Sequence, residues 1–288
     1  MIIAAGVLGA GKRLFKSAWG AYEHGALGFA KGAAYSALLS FFPVLTTTTA
    51  ILVQMNADAI SHKVTAFLFK VAPPGVEDLI RYQMTQRGAR PLALPIAASL
   101  LALWAASGVM MSLMEGFQGA YQRKSSRGIL HGRLISMWLV LVSIGPVVGA
   151  SAMMIFGDRA ENGALRLLGL LDAGETLRGG VKFLGMLARY SVAMATIMLV
   201  AALLYKFGPD AGRRRPIWPG ARVAMVLWLA ITTVFAWYVR NIANYNVLYG
   251  SIGAVIALCV WMYLLALSAM IGCEYNALLD KKTDKKKK

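Results

Sequence analysis

The chain has 288 residues, 58% of them hydrophobic and 15% charged, with a formal net charge of +17 at pH 7. That is the composition of a membrane protein rather than of a soluble domain. The positive charge does not point to nucleic acid, because the cations sit between apolar runs, in loops and at the tail.

The first ten residues are apolar but too few for a signal peptide, and their basic cluster follows instead of preceding them. Residues 12–31 read as an interfacial helix. Phe15, Trp19, Tyr22, Ala26 and Phe29 recur at helical spacing, with Lys12, Arg13 and Lys16 off that stripe. An apolar stripe beside cations suits a helix lying on an anionic membrane face. The plainer alternative is an extension of the first spanning helix.

The first span is expected over about 33–56. Pro43 removes a backbone donor there and should kink it. Ser36, Ser40 and Thr46 to Thr49 can bond freed carbonyls or neighbouring helices. Residues 58–90 read as a polar segment with an amphipathic stripe (Ile60, Val64, Phe67) and a break at Pro73-Pro74-Gly75. The second span is expected over 91–114, ending at Glu115. A loop with Arg123, Lys124, Arg127 and Arg133 follows. The third span is expected over 134–156, with Pro146 near its middle. The fourth, 183–205, holds Arg189, because starting after that residue would leave it short.

A second basic loop, Lys206 to Arg222, precedes a short fifth span over 223–239. A polar hairpin then leads into the sixth. Ile252 to Cys273 carries no charge and rises about 33 Å, enough to cross a bilayer core. Gly250, Ser251 and Gly253 crowd its entry, Glu274 and Asn276 mark its exit, and a lysine-rich tail over 279–288 follows. The two cysteines, Cys259 and Cys273, share this helix about 21 Å apart and cannot bridge each other.

The expected architecture is therefore all-α: a polytopic bundle of six transmembrane helices over 33–278, with amphipathic surface helices and an N-terminal interfacial segment over 1–32. Placing both termini inside puts 19 Lys and Arg in the inner segments and 10 in the outer ones. That is the direction the positive-inside rule favours. Tyr35-Ser36 and Tyr190-Ser191, early in the first and fourth spans, are a slender hint of an inverted repeat of three spans.

Three stretches carry a resemblance: AAYSALLSFFPVL from Ala33, the basic loop with Arg127-Gly128 and Arg133, and NYNVLYGSIGAVI…GCEYNAL from Asn244 to Leu278. Together they resemble the YihY/virulence factor BrkB family of bacterial inner-membrane proteins, over nearly the whole chain and in the same order. The second span departs from the family pattern, carrying Glu115 and Gln118 where an asparagine is expected. The resemblance implies a six-helix envelope protein, a transporter or a lipid handler, with no agreed catalytic residues. It also brings an old label, ribonuclease BN, widely regarded as a misassignment.

The residues themselves give that label no support. A metal-dependent nuclease needs clustered His and Asp ligands, whereas His24, His62 and His131 fall in three separate segments. No GxSxG elbow or GxxxxGK[ST] loop is present. We expect no enzyme, no cofactor and no metal.

Arg189 is the sharpest single residue. It reads either as an anion or lipid-headgroup site facing the bundle, together with Tyr35, Ser36 and Ser40, or as a side chain snorkelling to the rim. Glu115 and Glu274 read either as a coupling pair or as rim charges bridging to Lys31, Arg133 or Arg222. Gly250, Ser251 and Gly253 read as close helix packing rather than a substrate loop.

Two functions stay open. One is a transporter or flippase-like handler of lipid or another anionic amphiphile. The other is a non-transporting envelope-integrity scaffold. Membrane lipids, through anionic headgroups at the cytoplasmic face, are the expected partners; nucleic acid is not, and a homo-oligomer is compatible with the sequence.

Overall fold

A computed structural model describes residues 2–54, 93–122, 126–167, 179–210, 215–241 and 251–285. The stripe and break of 58–90 with His62, the hairpin with Gly250, the loop cations Arg123, Lys124, Arg213 and Arg214, and residues 286–288 lie outside these. The described residues are helical apart from short turns: α1 (Ile2–Glu23), α2 (Ala26–Gln54), α3 (Ala93–Ala120), α4 (Ile129–Leu167), α5 (Gly179–Phe207), α6 (Trp218–Asn241) and α7 (Ser251–Lys285). The last six are each long and apolar enough to cross a bilayer.

The spans begin and end differently from the sequence expectation. The first apolar stretch starts at Ala26, not 33, because the helix break falls at His24-Gly25, where Gly25 takes φ +77°. Residues 12–31 are therefore two helices. Lys31 does not stop α2; it is exposed on its flank. The helix expected to end at 114 runs on to Ala120, and α4 starts at Ile129, which places Arg133 inside a span instead of in the loop before it.

Neighbours in sequence pack as neighbours in space: α2 on α3, α3 on α4, α4 on α5, α5 on α6, α6 on α7. Helix α7 also packs on α2, which closes the ring, and on α1 and α3. Residues 20–25, 117–122, 126–133, 204–210, 215–222 and 270–281 share one end of the bundle, the basal end.

Small residues set the tightest seams. A Cβ added to Gly108 would lie 2.9 Å from the Ser36 hydroxyl, and one on Gly32 would lie 3.1 Å from that of Ser112. In a bilayer this replaces the hydrophobic drive that a soluble bundle uses, since lipid tails are as apolar as leucine. The outer surface is accordingly apolar: Leu100, Trp104, Leu134, Val234 and Trp237 are all exposed. Pro43 and Pro146 lie inside α2 and α4. Thr46 and Thr48 donate to the carbonyls of Phe42 and Val44 in their own helix.

Helix α1 turns one face to the bundle and one away. Ser17 and Ala21 are buried, whereas Phe15 (70% exposed), Trp19 and Tyr22 point outward beside exposed Lys12 and Lys16. Of the expected stripe, Ala26 and Phe29 belong to α2 and turn toward the core instead.

Candidate functional site

The basal end is tied together by side chains from distant parts of the chain. Helix α6 begins Trp218-Pro219-Gly220, and its first turn has backbone donors without intrahelical partners. Asn276, fully buried on α7, supplies the missing partner: its Oδ1 accepts from the Gly220 N–H at 2.7 Å, and its Nδ2 donates to the Ile217 carbonyl at 3.1 Å. It caps α6 from another helix. Next to it α6 and α7 cross with backbones in contact, because Gly220 and Gly272 present no side chain. Tyr205 on α5, fully buried, donates its hydroxyl to the Ala269 carbonyl at 2.7 Å and meets Phe117 edge-to-face with centroids 5.3 Å apart.

A second node joins the α1–α2 break to the exit of α7. His24 Nδ1 donates to Glu274 Oε2 at 3.1 Å, and Nε2 lies against the side-chain amide of Gln122. The Glu274 side chain is only 2% exposed. It fills the space above Gly20, where a Cβ would sit 2.8 Å from Oε1.

A third node clasps two basal loops. The Ser126 hydroxyl (2.6 Å) and backbone N–H (2.9 Å) both donate to the Asp210 carboxylate, and the Asp210 N–H donates to Gln118 at 2.7 Å. Arg127 donates to the carbonyls of Phe207 and Gly208, and Arg215 to those of Lys206 and Pro209. The Arg215 guanidinium also lies over the Tyr121 ring, 5.5 Å from its centroid. Burial raises the Tyr121 hydroxyl above its ordinary value, and that oxygen has no hydrogen-bond partner.

The hydroxyl of Ser126, then its N–H, hold Asp210 below the ordinary aspartate range, with Arg127 and Arg215 adding to the effect. A depressed carboxylate contributes stability above its unfolded-state value and loses it as pH falls through the folded-state value. Acid should therefore open this clasp. Hydrogen exchange at the Phe207, Gly208 and Asp210 amides should quicken severalfold below the ordinary aspartate range in the wild type. In Asp210→Asn it should be fast already at neutral pH and insensitive to acid. Unchanged exchange in the variant would show that the clasp is held by the arginines alone.

Just inside this end lies a cavity of about 260 Å³ between α2, α3, α5, α6 and α7. Ala33, Val109, Leu204, Trp228, Leu265 and Ala266 are among its lining residues. The one hydroxyl there, Ser268, donates to the Leu265 carbonyl of its own helix at 2.7 Å. The wall is thus apolar throughout.

The residues singled out from the sequence are not brought together. Tyr35 is exposed on the outside of α2, Ser36 is wedged against Gly108, and Ser40 is buried with its hydroxyl on the Ala37 carbonyl at 2.9 Å. Arg189 is half-buried in α5, four residues into its span, with Nε donating to the Gly185 carbonyl at 3.3 Å. None of these four lines the cavity. Glu115 is exposed, and it is His24, not Lys31, Arg133 or Arg222, that pairs with Glu274. Gly253 is buried, as close packing requires, and Ser251 is the first residue of α7. Reading the three histidines as unrelated surface residues misses His24. Its proximity to the Gly25 break is the one local sign that it sits at a junction.

A six-helix ring of this kind has known relatives by sequence, although no solved structure matches it. The putative ribonuclease-like protein YfkH of Bacillus subtilis (strain 168) is 31% identical over 253 residues, 86% of this chain and 88% of that protein. A UPF0761 membrane protein of Alteromonas mediterranea is 26% identical over 88% of this chain and 83% of its own. Another, of Laribacter hongkongensis, is 27% identical over 90% of this chain and 59% of its own length. The pattern described by the family model for virulence factor BrkB runs through residues 20–288, taking in the His24 junction, all six spans and the Glu274–Asn276 exit. The chain is therefore a multi-pass bacterial membrane protein and belongs to the virulence factor BrkB family.

Proposed function

We propose that this protein handles a membrane lipid or another anionic amphiphile, moving it between leaflets in the manner of a flippase, and that it is not an enzyme. The apolar cavity carries this reading. A wall whose surface is almost wholly apolar gives an ion or a sugar next to nothing in exchange for its water, so a polar solute is a poor occupant. A hydrocarbon chain loses nothing there. At about 260 Å³ the space falls just below the range of roughly 300–1,000 Å³ typical of sites for whole small molecules. It suits one chain of a lipid, with the head left at a surface.

The cation-rich basal loops supply anion attraction at one end, and Arg189 supplies a headgroup contact toward the other. The distribution of Lys and Arg supports a cytoplasmic basal end with both termini inside, which fits an inner-membrane protein. The ribonuclease-like name belongs to the Bacillus relative. In this chain, among the described residues, no three His, Cys, Asp or Glu side chains come close enough to share a metal ion.

The test is lipid movement in proteoliposomes, read by chemical quenching of a fluorescent phosphatidylglycerol. Wild-type protein should speed transfer between leaflets. Ala201→Phe and Ala266→Phe, which fill the cavity, should slow it at least severalfold at normal membrane abundance. Arg189→Lys keeps the charge and loses the planar fork, so it should slow transfer without lowering abundance. Wild-type vesicles that move no lipid would favour the envelope scaffold.

A further inference from the structure

Arg133 stands one turn inside the third span, on α4, and its guanidinium turns toward α3. Nη2 donates to the Trp104 carbonyl at 3.0 Å, and the guanidinium carbon lies 4.1 Å from the centroid of a Trp104 ring. That carbonyl already accepts the Ser107 hydroxyl at 2.6 Å. Nε is buried with no hydrogen-bond partner. Among the described residues no carboxylate pairs with Arg133.

Depth makes this unusual. Glu115 is exposed on α3, five residues inside the basal end of its apolar stretch. Trp104 is eleven residues further along α3, a rise of about 16 Å, roughly half of a hydrocarbon core about 30 Å thick. A side chain that merely snorkels would turn back to the rim. This one reaches the other way and is held there by stacking and by one backbone carbonyl. An arginine without a counter-charge at that depth is costly unless an anion completes it.

We propose that Arg133 and Trp104 form a binding site for the phosphate of a membrane lipid on the bilayer-facing seam between α3 and α4. The surroundings decide the source of the phosphate. Trp104 is 57% exposed and Leu134 65%, and Leu100 and Leu101 on α3 and Leu141 on α4 are exposed as well. Each of these faces hydrocarbon, so an anion that reaches Arg133 must carry hydrocarbon of its own. The indole fixes the plane of the guanidinium, and the edge not facing Trp104 can take two phosphate oxygens in parallel. The inference goes beyond the proposed function, because a lipid held on this outer seam is separate from the cavity and needs no movement between leaflets.

Equilibrium binding tests it on purified full-length protein by native mass spectrometry. Three probes are titrated: phosphatidylglycerol, diacylglycerol with the same chains, and inorganic phosphate. Wild type should retain phosphatidylglycerol well above diacylglycerol and ignore inorganic phosphate. Arg133→Gln should weaken phosphatidylglycerol binding on the order of tenfold, the scale of one charge-assisted hydrogen bond. Arg133→Lys and Trp104→Leu should weaken it severalfold, the first through loss of the fork and the second through loss of the platform.

Equal binding of diacylglycerol would overturn the site, leaving an apolar groove. Displacement of the lipid by inorganic phosphate would show an aqueous site and overturn the lipid assignment. Undiminished phosphatidylglycerol binding by Arg133→Gln would overturn it outright. Each variant's unfolding midpoint in lipid-free detergent is measured alongside. A variant that unfolds early is replaced in the comparison by Arg133→Lys, whose long cationic stem keeps most of the packing. Lipid transfer measured in the same variants separates this site from the proposed function: full transfer with lost binding leaves the cavity reading intact.

Discussion

Gly220→Ala should be among the most damaging single-methyl changes available in this chain. A Cβ at Gly220 would overlap the Gly272 carbonyl oxygen and the amide of Asn276, and one at Gly272 would lie 2.6 Å from the Gly220 carbonyl and inside contact of the Tyr205 hydroxyl. Most of these atoms cannot step aside. Two are backbone, Asn276 is held by two hydrogen bonds, and Tyr205 is held by one. The helices would have to separate, and with them the cap on α6.

Overpacking typically costs about 1–3 kcal/mol and occasionally more, and a clash with fixed backbone belongs at the upper end. Thermal unfolding in detergent, followed by tryptophan fluorescence, should show a large drop in midpoint or no folded protein. Gly28→Ala is the control, because nothing lies within 4 Å of its Cβ position, and it should be neutral or slightly stabilising. Asn276→Ala tests the cap separately. It strands the Gly220 N–H, at about 1–3 kcal/mol if that group stays dry, whereas the Ile217 carbonyl keeps the Ala221 N–H at 3.1 Å. A Gly220→Ala protein as stable as Gly28→Ala would mean that the α6–α7 crossing is looser than the structure has it.

The six spans were legible because each is a nearly uncharged apolar run about as long as a bilayer needs, and from α3 onward short connections keep neighbours in sequence beside one another. The ends of the helices were not. Lys31 reads as a boundary, yet a cation on the outer flank of a helix at the rim interrupts nothing, and α2 continues past it to Gly25. The junctions were even less visible. His24 and Glu274 are 250 residues apart, and no periodicity in either segment signals the other.

Arg133 shows a different limit. A charge at the edge of an apolar run is read as belonging to the loop. Whether its side chain turns out to water or in along α3 depends on a backbone carbonyl at Trp104 that no local pattern reveals. Asn276 was read as marking a helix exit. Its role lies in the first turn of a different helix, and only the close approach permitted by Gly220 and Gly272 makes that reach short enough. Tyr35, Ser36, Ser40 and Arg189 were grouped by residue type and expected depth. The packing sends them to different surfaces, since depth along a helix does not say which way a side chain faces.

His24→Ala should unfold the α1–α2 junction from α7. Removing the imidazole leaves the Glu274 carboxylate buried against Gly20 without its partner. Breaking one side of a buried pair costs about 3–5 kcal/mol. The carboxyl can recover part of that by taking up a proton, so the lower end is expected.

Glu274→Gln should be milder, because an amide keeps a hydrogen-bond acceptor toward His24 Nδ1 and leaves no stranded charge. The double variant His24→Ala with Glu274→Gln should then be less than additive: once the charge is gone, losing the histidine strands only a neutral amide. Unfolding midpoints of the four proteins in the same detergent read the coupling. Hydrogen exchange over residues 20–30 should rise in His24→Ala, since that segment is where α1 parts from the bundle. Strict additivity would show that His24 and Glu274 are neighbours without being partners. A variant Glu274→Gln as damaging as His24→Ala would show that the charge itself, not its pairing, holds α1 in place, which would move the anchor to the exposed basic residues around it.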